Sequence, residues 1–195
     1  MVGRHVIHDA VLEYLVPNAG NRCTLVCAAS LLRLAGSWQT GITLADEIGQ
    51  LVGFRPETGP PALAYLSRPG GRPPLDLAIE RVGAATGACV RSTTRFLPSP
   101  RTILMALDNG WPIVLNVVRA PSGTWSHSII AYGYRYGRAH GVQVLVADPN
   151  EHGHHAGRWA HLYRPWETNA ATATFIRPVH ATSTTPTDAS EGRHP

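Results

Sequence analysis

Three residues, met in chain order, carry the types that a thiol-based acyl transfer needs. Cys23 stands directly before the apolar run Thr24-Leu25-Val26-Cys27-Ala28-Ala29-Ser30-Leu31-Leu32. That pattern places a thiol at the N-terminus of a buried helix, where the positive end of the helix dipole favours thiolate, the nucleophilic form of cysteine. The unpaired N–H groups of the same turn would also suit an oxyanion. His127 opens a second apolar segment, Ser126-His127-Ser128-Ile129-Ile130-Ala131-Tyr132-Gly133-Tyr134, and Asp148-Pro149 closes a third, Val144-Leu145-Val146-Ala147. An imidazole that moves protons needs its second nitrogen held by a carboxylate or amide. Asp148 fits that role, with Asn150 as a second choice. The alternatives are plain ones: a structural histidine at a strand start, and an aspartate that only shapes the Asp-Pro-Asn turn.

The elements that must position these residues follow from periodicity and punctuation. Residues 5–16 form a short amphipathic or extended segment, and Pro17-Asn18-Ala19-Gly20-Asn21 is turn chemistry. Residues 24–35 read as a central helix, apolar nearly all round, stopping at Gly36. Thr43 is a candidate N-cap for a helix over Leu44 to Leu51. Residues 55–74, rich in Pro and Gly, read as a long surface loop with one helical turn at Ala62 to Leu66. A helix follows over Leu75 to Thr86, then a short strand over Cys89 to Thr93, then a helix from about Arg101 to Asn109-Gly110. From there the period changes: Pro112 to Val118, His127 to Tyr136, Val142 to Ala147 and Ala173 to Val179 read as strands. Helices first and strands after argue α+β with an antiparallel sheet. A hairpin turn over Arg135 to Gly141 would set His127 beside Asp148. Residues 1–180 form one domain on this reading, and the polar Thr/Ser/Pro-rich residues 181–195 a disordered tail.

Composition removes several other classes. All 17 basic residues are Arg, so no lysine nucleophile or Schiff base is available. The arginines are scattered, which does not favour nucleic-acid binding despite a formal charge of +4. No apolar run approaches the roughly 20 residues that span a bilayer, and the first residues lack the long apolar stretch of a secretory signal. The expectation is a cytoplasmic protein without a membrane partner. Three cysteines are too few and odd in number for a disulfide framework. Cys27, one turn inside the helix, and Cys89, in a short strand, are expected in the core. His152-Gly153-His154-His155 has metal-binding chemistry. No further ligands are spaced to join it, so a solvated loop at the rim of the site is expected, with no metal or cofactor. Trp125, Trp159, Tyr163 and Trp166 are candidates to line a substrate groove, with core or strand-edge packing the preferred reading for most.

The ordered set resembles the papain-like cysteine peptidases, in particular the bacteriocin-leader peptidases (family thirty-nine) and their stand-alone relatives. The matching pieces are Cys23 to Leu32 ending in Gly36, with a second Cys four after the first; Ile103-Leu104-Met105-Ala106-Leu107-Asp108-Asn109-Gly110-Trp111-Pro112-Ile113-Val114 as a helix, Gly-x-Pro, strand unit; His127 with its apolar strand; and Asp148-Pro149. They cover about residues 15 to 180. The resemblance implies a papain-like α+β fold with Cys23 as nucleophile, His127 as base and acid, and Asp148 as orienter. The family has Gly after the nucleophile, where Thr24 stands. It also has an upstream Gln completing the oxyanion hole, a place for which this chain offers Asn18 or Asn21. The implied activity is hydrolysis of a peptide or small amide or ester through a thioester. The alternatives are an acyltransferase or amide-forming enzyme of natural-product biosynthesis, and a catalytically silent peptide-binding domain. Oligomeric state is left open.

Overall fold

The computed structural model describes residues 5–18, 20–55, 71–96, 98–118, 126–137, 141–150, 161–163 and 170–179. A short strand β1 (His5–Ile7) and one turn of helix α1 (Ala10–Glu13) lead to α2 (Cys23–Leu34), α3 (Gly41–Val52) and α4 (Pro74–Ala85). Then come β2 (Val90–Phe96), α5 (Pro100–Asp108), β3 (Ile113–Val118), β4 (Ser126–Gly137), β5 (Gly141–Ala147), β6 (His161–Tyr163) and β7 (Ala170–Pro178). The strands form one 7-stranded sheet in the order β2-β7-β3-β4-β5-β6, with β1 on β4, and all pairings are antiparallel. The architecture is α+β.

The sheet lies between two cores, and strand alternation sorts the residues between them. Val114, Ile130 and Ile176 face α2, α3 and α4 and pack with Leu25, Leu32, Ile48 and Ile79. Ile113, Leu115, Ile129 and Phe175 face the other way, onto Ile103 and Leu107 of α5. Every residue of α2 from Cys23 to Leu32 is buried, as a helix apolar on all sides requires.

A bulge in β4 allows β1 to share its edge. Ala131 pairs with Val146 and Gly133 with Leu145, leaving Tyr132 as the extra residue. The Tyr132 carbonyl accepts the His8 N–H at 2.9 Å. A Cβ on Gly133 would meet the Val6 carbonyl oxygen at 2.3 Å, so only glycine lets β1 approach this closely. The bulge also turns Tyr134 toward α5, where its hydroxyl donates to Asp108 at 2.6 Å.

Several sequence expectations need correction. α3 begins at Gly41 rather than Leu44, because Thr40, in extended conformation, is its N-cap and accepts the Thr43 N–H. Thr43 thus lies inside the first turn. Cys89 is exposed, not core: it falls between Gly87, at φ 87°, and the buried Val90, outside the strand alternation that was to bury it. β2 runs on to Phe96, held by full pairing with β7. β1 and β6 were too short to register as periodic segments. The proposed helical turn at Ala62 to Leu66, the His152 to His155 cluster, Trp125, Trp159, Trp166 and the tail 181–195 lie outside the described residues.

Candidate active site

α2 starts at Cys23 itself. The first intrahelical bond runs from the Val26 N–H to the Arg22 carbonyl at 3.0 Å, and the Arg22 side chain does not cap the turn. The N–H groups of the first helical residues therefore have no partner within the helix. The Cys23 side of the turn is nearly closed to solvent, with Cys23 8% exposed.

β4 and β5 are joined as a hairpin, with Ile130 opposite Ala147. That register carries His127, near the start of β4, to Asp148, just past the end of β5. His127 Nε2 lies 2.8 Å from Asp148 Oδ1. The same carboxylate oxygen accepts the Asn150 N–H at 2.8 Å, which fixes its orientation from the turn. With Nε2 on the carboxylate, Nδ1 is the ring nitrogen left for sulfur, and the Cys23 and His127 side chains are hydrogen-bonded to each other. Sulfur, imidazole and carboxylate thus come together in sequence from three separate elements.

Electrostatics follow from that contact. Burial pushes the Cys23 thiol up, but hydrogen bonds from His127 and Ser128 and the charge on His127 outweigh it, so the thiol is held below its usual value. Burial alone would lower His127, yet its bonds to Asp148 and Cys23 raise it from 6.5 to about 9. Both shifts favour one state, thiolate beside imidazolium. Cys27, one turn deeper and fully enclosed, is pushed well above the usual thiol value by burial and by the charges of Cys23 and Asp148. It donates to the Ser128 carbonyl at 3.5 Å and serves packing.

Asn18 and Asn21 are placed differently. Asn18 bridges to the Asp148 turn: its N–H donates to the Pro149 carbonyl at 2.7 Å and its side-chain amide to Asn150 Oδ1 at 2.6 Å. Its Oδ1 is buried without a hydrogen-bond partner among the described residues. Asn21 is exposed. Among the described residues no group of His, Cys, Asp or Glu is arranged to hold a metal ion.

What the residue spacing did not reveal is a polar patch beside Cys23. Thr24, Asn116, Ser128 and Thr172 are each at most 1% exposed. Thr24 Oγ1 lies 2.6 Å from Ser128 Oγ and 3.2 Å from Asn116 Oδ1, while Asn116 Nδ2 donates to Thr172 Oγ1 at 2.8 Å. The available signal was an asparagine inside the apolar strand Ile113-Val114-Leu115-Asn116-Val117-Val118, at an inward-facing position.

Searches of family models and of curated proteins return no match. Comparison of folds does: a crystal structure of a Bacillus anthracis protein classed as a C39-like peptidase superposes with a TM-score of 0.54 at 15% identity, covering 89% of this chain and 98% of that one. The fold is papain-like. At that identity the likeness is one of architecture.

Proposed function

We propose that the protein is a cysteine-nucleophile hydrolase, a peptidase or amidase, acting through Cys23, His127 and Asp148. The observation that carries this reading is the contact chain itself: the Cys23 thiol hydrogen-bonded to an imidazole whose Nε2 rests on Asp148 at 2.8 Å. The thiol lowered and the imidazole raised by the same contact favour this reading over a catalytically silent binding domain.

In the first step the Cys23 thiolate attacks the carbonyl carbon of an amide or ester. The carbonyl oxygen takes the negative charge and faces the uncapped N–H groups at the start of α2. His127 gives its proton to the leaving amine or alkoxide, the C–N or C–O bond breaks, and a thioester remains on Cys23. Water then gives up a proton to neutral His127 and attacks the thioester, releasing the acid and the thiolate. An amine in place of water would make the same site a transferase, since the scaffold alone does not choose.

Asn18 is the better of the two asparagines for the second oxyanion donor. Amide oxygen and nitrogen are told apart by their partners. The partnerless Asn18 Oδ1 is buried, so the amide would serve a substrate oxygen by turning out of that position. The expected consequence of Asn18→Ala is a loss of about 10²–10³ in kcat, with iodoacetamide labelling of Cys23 little changed.

The test of the whole reading is a trapping experiment. The protein is incubated with a peptide library and quenched in acid, and adducts are located by mass spectrometry. An acyl group on Cys23, absent in Cys23→Ala, is the expected result; product release by Cys23→Ala at the parent's rate would rule the reading out.

A further inference from the structure

Each of the two residues that meet at the reacting sulfur is followed by a buried hydroxyl. Cys23 is followed by Thr24 and His127 by Ser128, and these two hydroxyls lie 2.6 Å apart. Ser128 Oγ also reaches Asn116 Oδ1 at 2.5 Å, and Thr24 Oγ1 reaches the same oxygen at 3.2 Å. Ser128 also helps to hold the Cys23 thiol below its usual value, through a side-chain and a backbone hydrogen bond. We propose that Thr24, Ser128 and Asn116 form a hydroxyl clamp that sets the nucleophile helix against the base strand and serves the sulfur with a second hydrogen bond beside that of His127. The inference rests on Cys23 acting as a thiolate.

Proton counting shows why the clamp has two states. Thr24 and Ser128 bring two hydroxyl protons to a triangle of three short contacts, so one edge always lacks a proton. When Cys23 is a thioester its sulfur carries no charge, and Ser128 donates to Asn116 Oδ1. When Cys23 is thiolate, the Ser128 hydroxyl turns to sulfur and Thr24 donates to Asn116 or to Ser128. A chain from Thr24 through Ser128 to the sulfur is then polarised in one direction, which strengthens its last bond. Asn116 is itself fixed, because its amide donates to Thr172 on β7. Thr24 and Asn116 are positioning residues that act through Ser128. The same geometry explains threonine directly after the nucleophile: its side chain is 1% exposed and rooted in the sheet.

The test is the pH dependence of Cys23 alkylation by iodoacetamide, followed by mass spectrometry, in the parent and in Ser128→Ala, Thr24→Val and Thr24→Ser. Thr24→Val keeps the shape while removing the hydroxyl, so it reports even if Ser128→Ala fails to fold. The expected result is an inflexion moved upward by about one pH unit in Thr24→Val and Ser128→Ala, and returned to the parent's value by Thr24→Ser. Profiles of the first two that overlay the parent's, whatever their melting temperatures, would show a clamp that only holds the fold, and would overturn the inference while leaving acyl transfer in place. A parent inflexion at the ordinary thiol value of about 8.5 would overturn the proposed function and this inference together.

Discussion

Cys23 and Cys27 are one helical turn apart on the same buried helix, yet their environments push them in opposite directions. One turn of helix decides whether the sulfur reaches His127 or only the Ser128 carbonyl. The pH behaviour of the site follows. On the alkaline side, His127 loses its proton near 9, and with it the proposed acid for the leaving group. The acid limb lies where the lowered Cys23 thiol takes up its proton. The rate of acyl-enzyme formation is therefore expected to be bell-shaped with an upper limb near 9, and Asp148→Asn to move that limb downward, measured by single-turnover kinetics across pH. An unmoved limb would show that the carboxylate does not raise the ring. At this scale the sequence was informative about residue types: thiol before an apolar run, imidazole before another, carboxylate after a third. It was silent on the clamp, because a hydroxyl looks the same whether it caps, packs or donates until its partners are known. Cys89 was misjudged for a related reason, since burial of one residue beside a glycine turn depends on where the strand begins.

At the scale of elements, α2 and the β4–β5 hairpin do the positioning, and each follows a local rule. α2 is apolar all round because it is covered on its sheet face and by α3 and α4. The hairpin brings Asp148 to His127 only if its register holds, and the bulge at Tyr132 is built into that register. Gly133 makes the bulge compatible with β1. Gly133→Ala would drive a methyl into the Val6 carbonyl, so it is expected to lower stability by about 1–3 kcal/mol, read by denaturant titration, and to slow acylation through the displaced hairpin. Full stability in that variant would mean β1 contributes nothing to the edge. Thr40→Ala, by contrast, removes the α3 cap that Thr43 uses and is expected to cost about 1 kcal/mol without moving the site. The long helices and longer strands were legible because several periods of apolar residues repeat in each. β1 and β6, at 3 residues apiece, carry less than two periods, and pairing partners rather than local pattern create them.

For the molecule as a whole, the charged pair links stability to pH. His127 is raised on folding, so its contribution is complete below about 6.5 and is lost as pH rises through about 9. Cys23 is lowered from 9.0, so its contribution is complete above that value and is lost as pH falls through the lowered one. As pH rises from about 6.5 to about 9 the loss from His127 and the gain from Cys23 therefore oppose each other. The His127 share is expected to fall as pH rises from about 6.5 to about 9, so the melting-temperature gap between the parent and Asp148→Asn should narrow over that range. The α+β class was legible because helices crowd the first half and strands the second. The sandwiching of one sheet between two unequal cores was not, since alternation names two faces without saying what covers each.

The central claim is that Cys23 is a thiolate poised by His127, and competition among the three cysteines tests it most directly. Exposure alone favours Cys89, since Cys23 is only 8% exposed. With limiting iodoacetamide at about pH 6, where an ordinary thiol is almost wholly protonated, Cys23 is predicted to be labelled first. Its lead should vanish in His127→Ala. Labelling of Cys89 ahead of Cys23 in the parent, or a Cys23 rate indifferent to His127, would contradict the account.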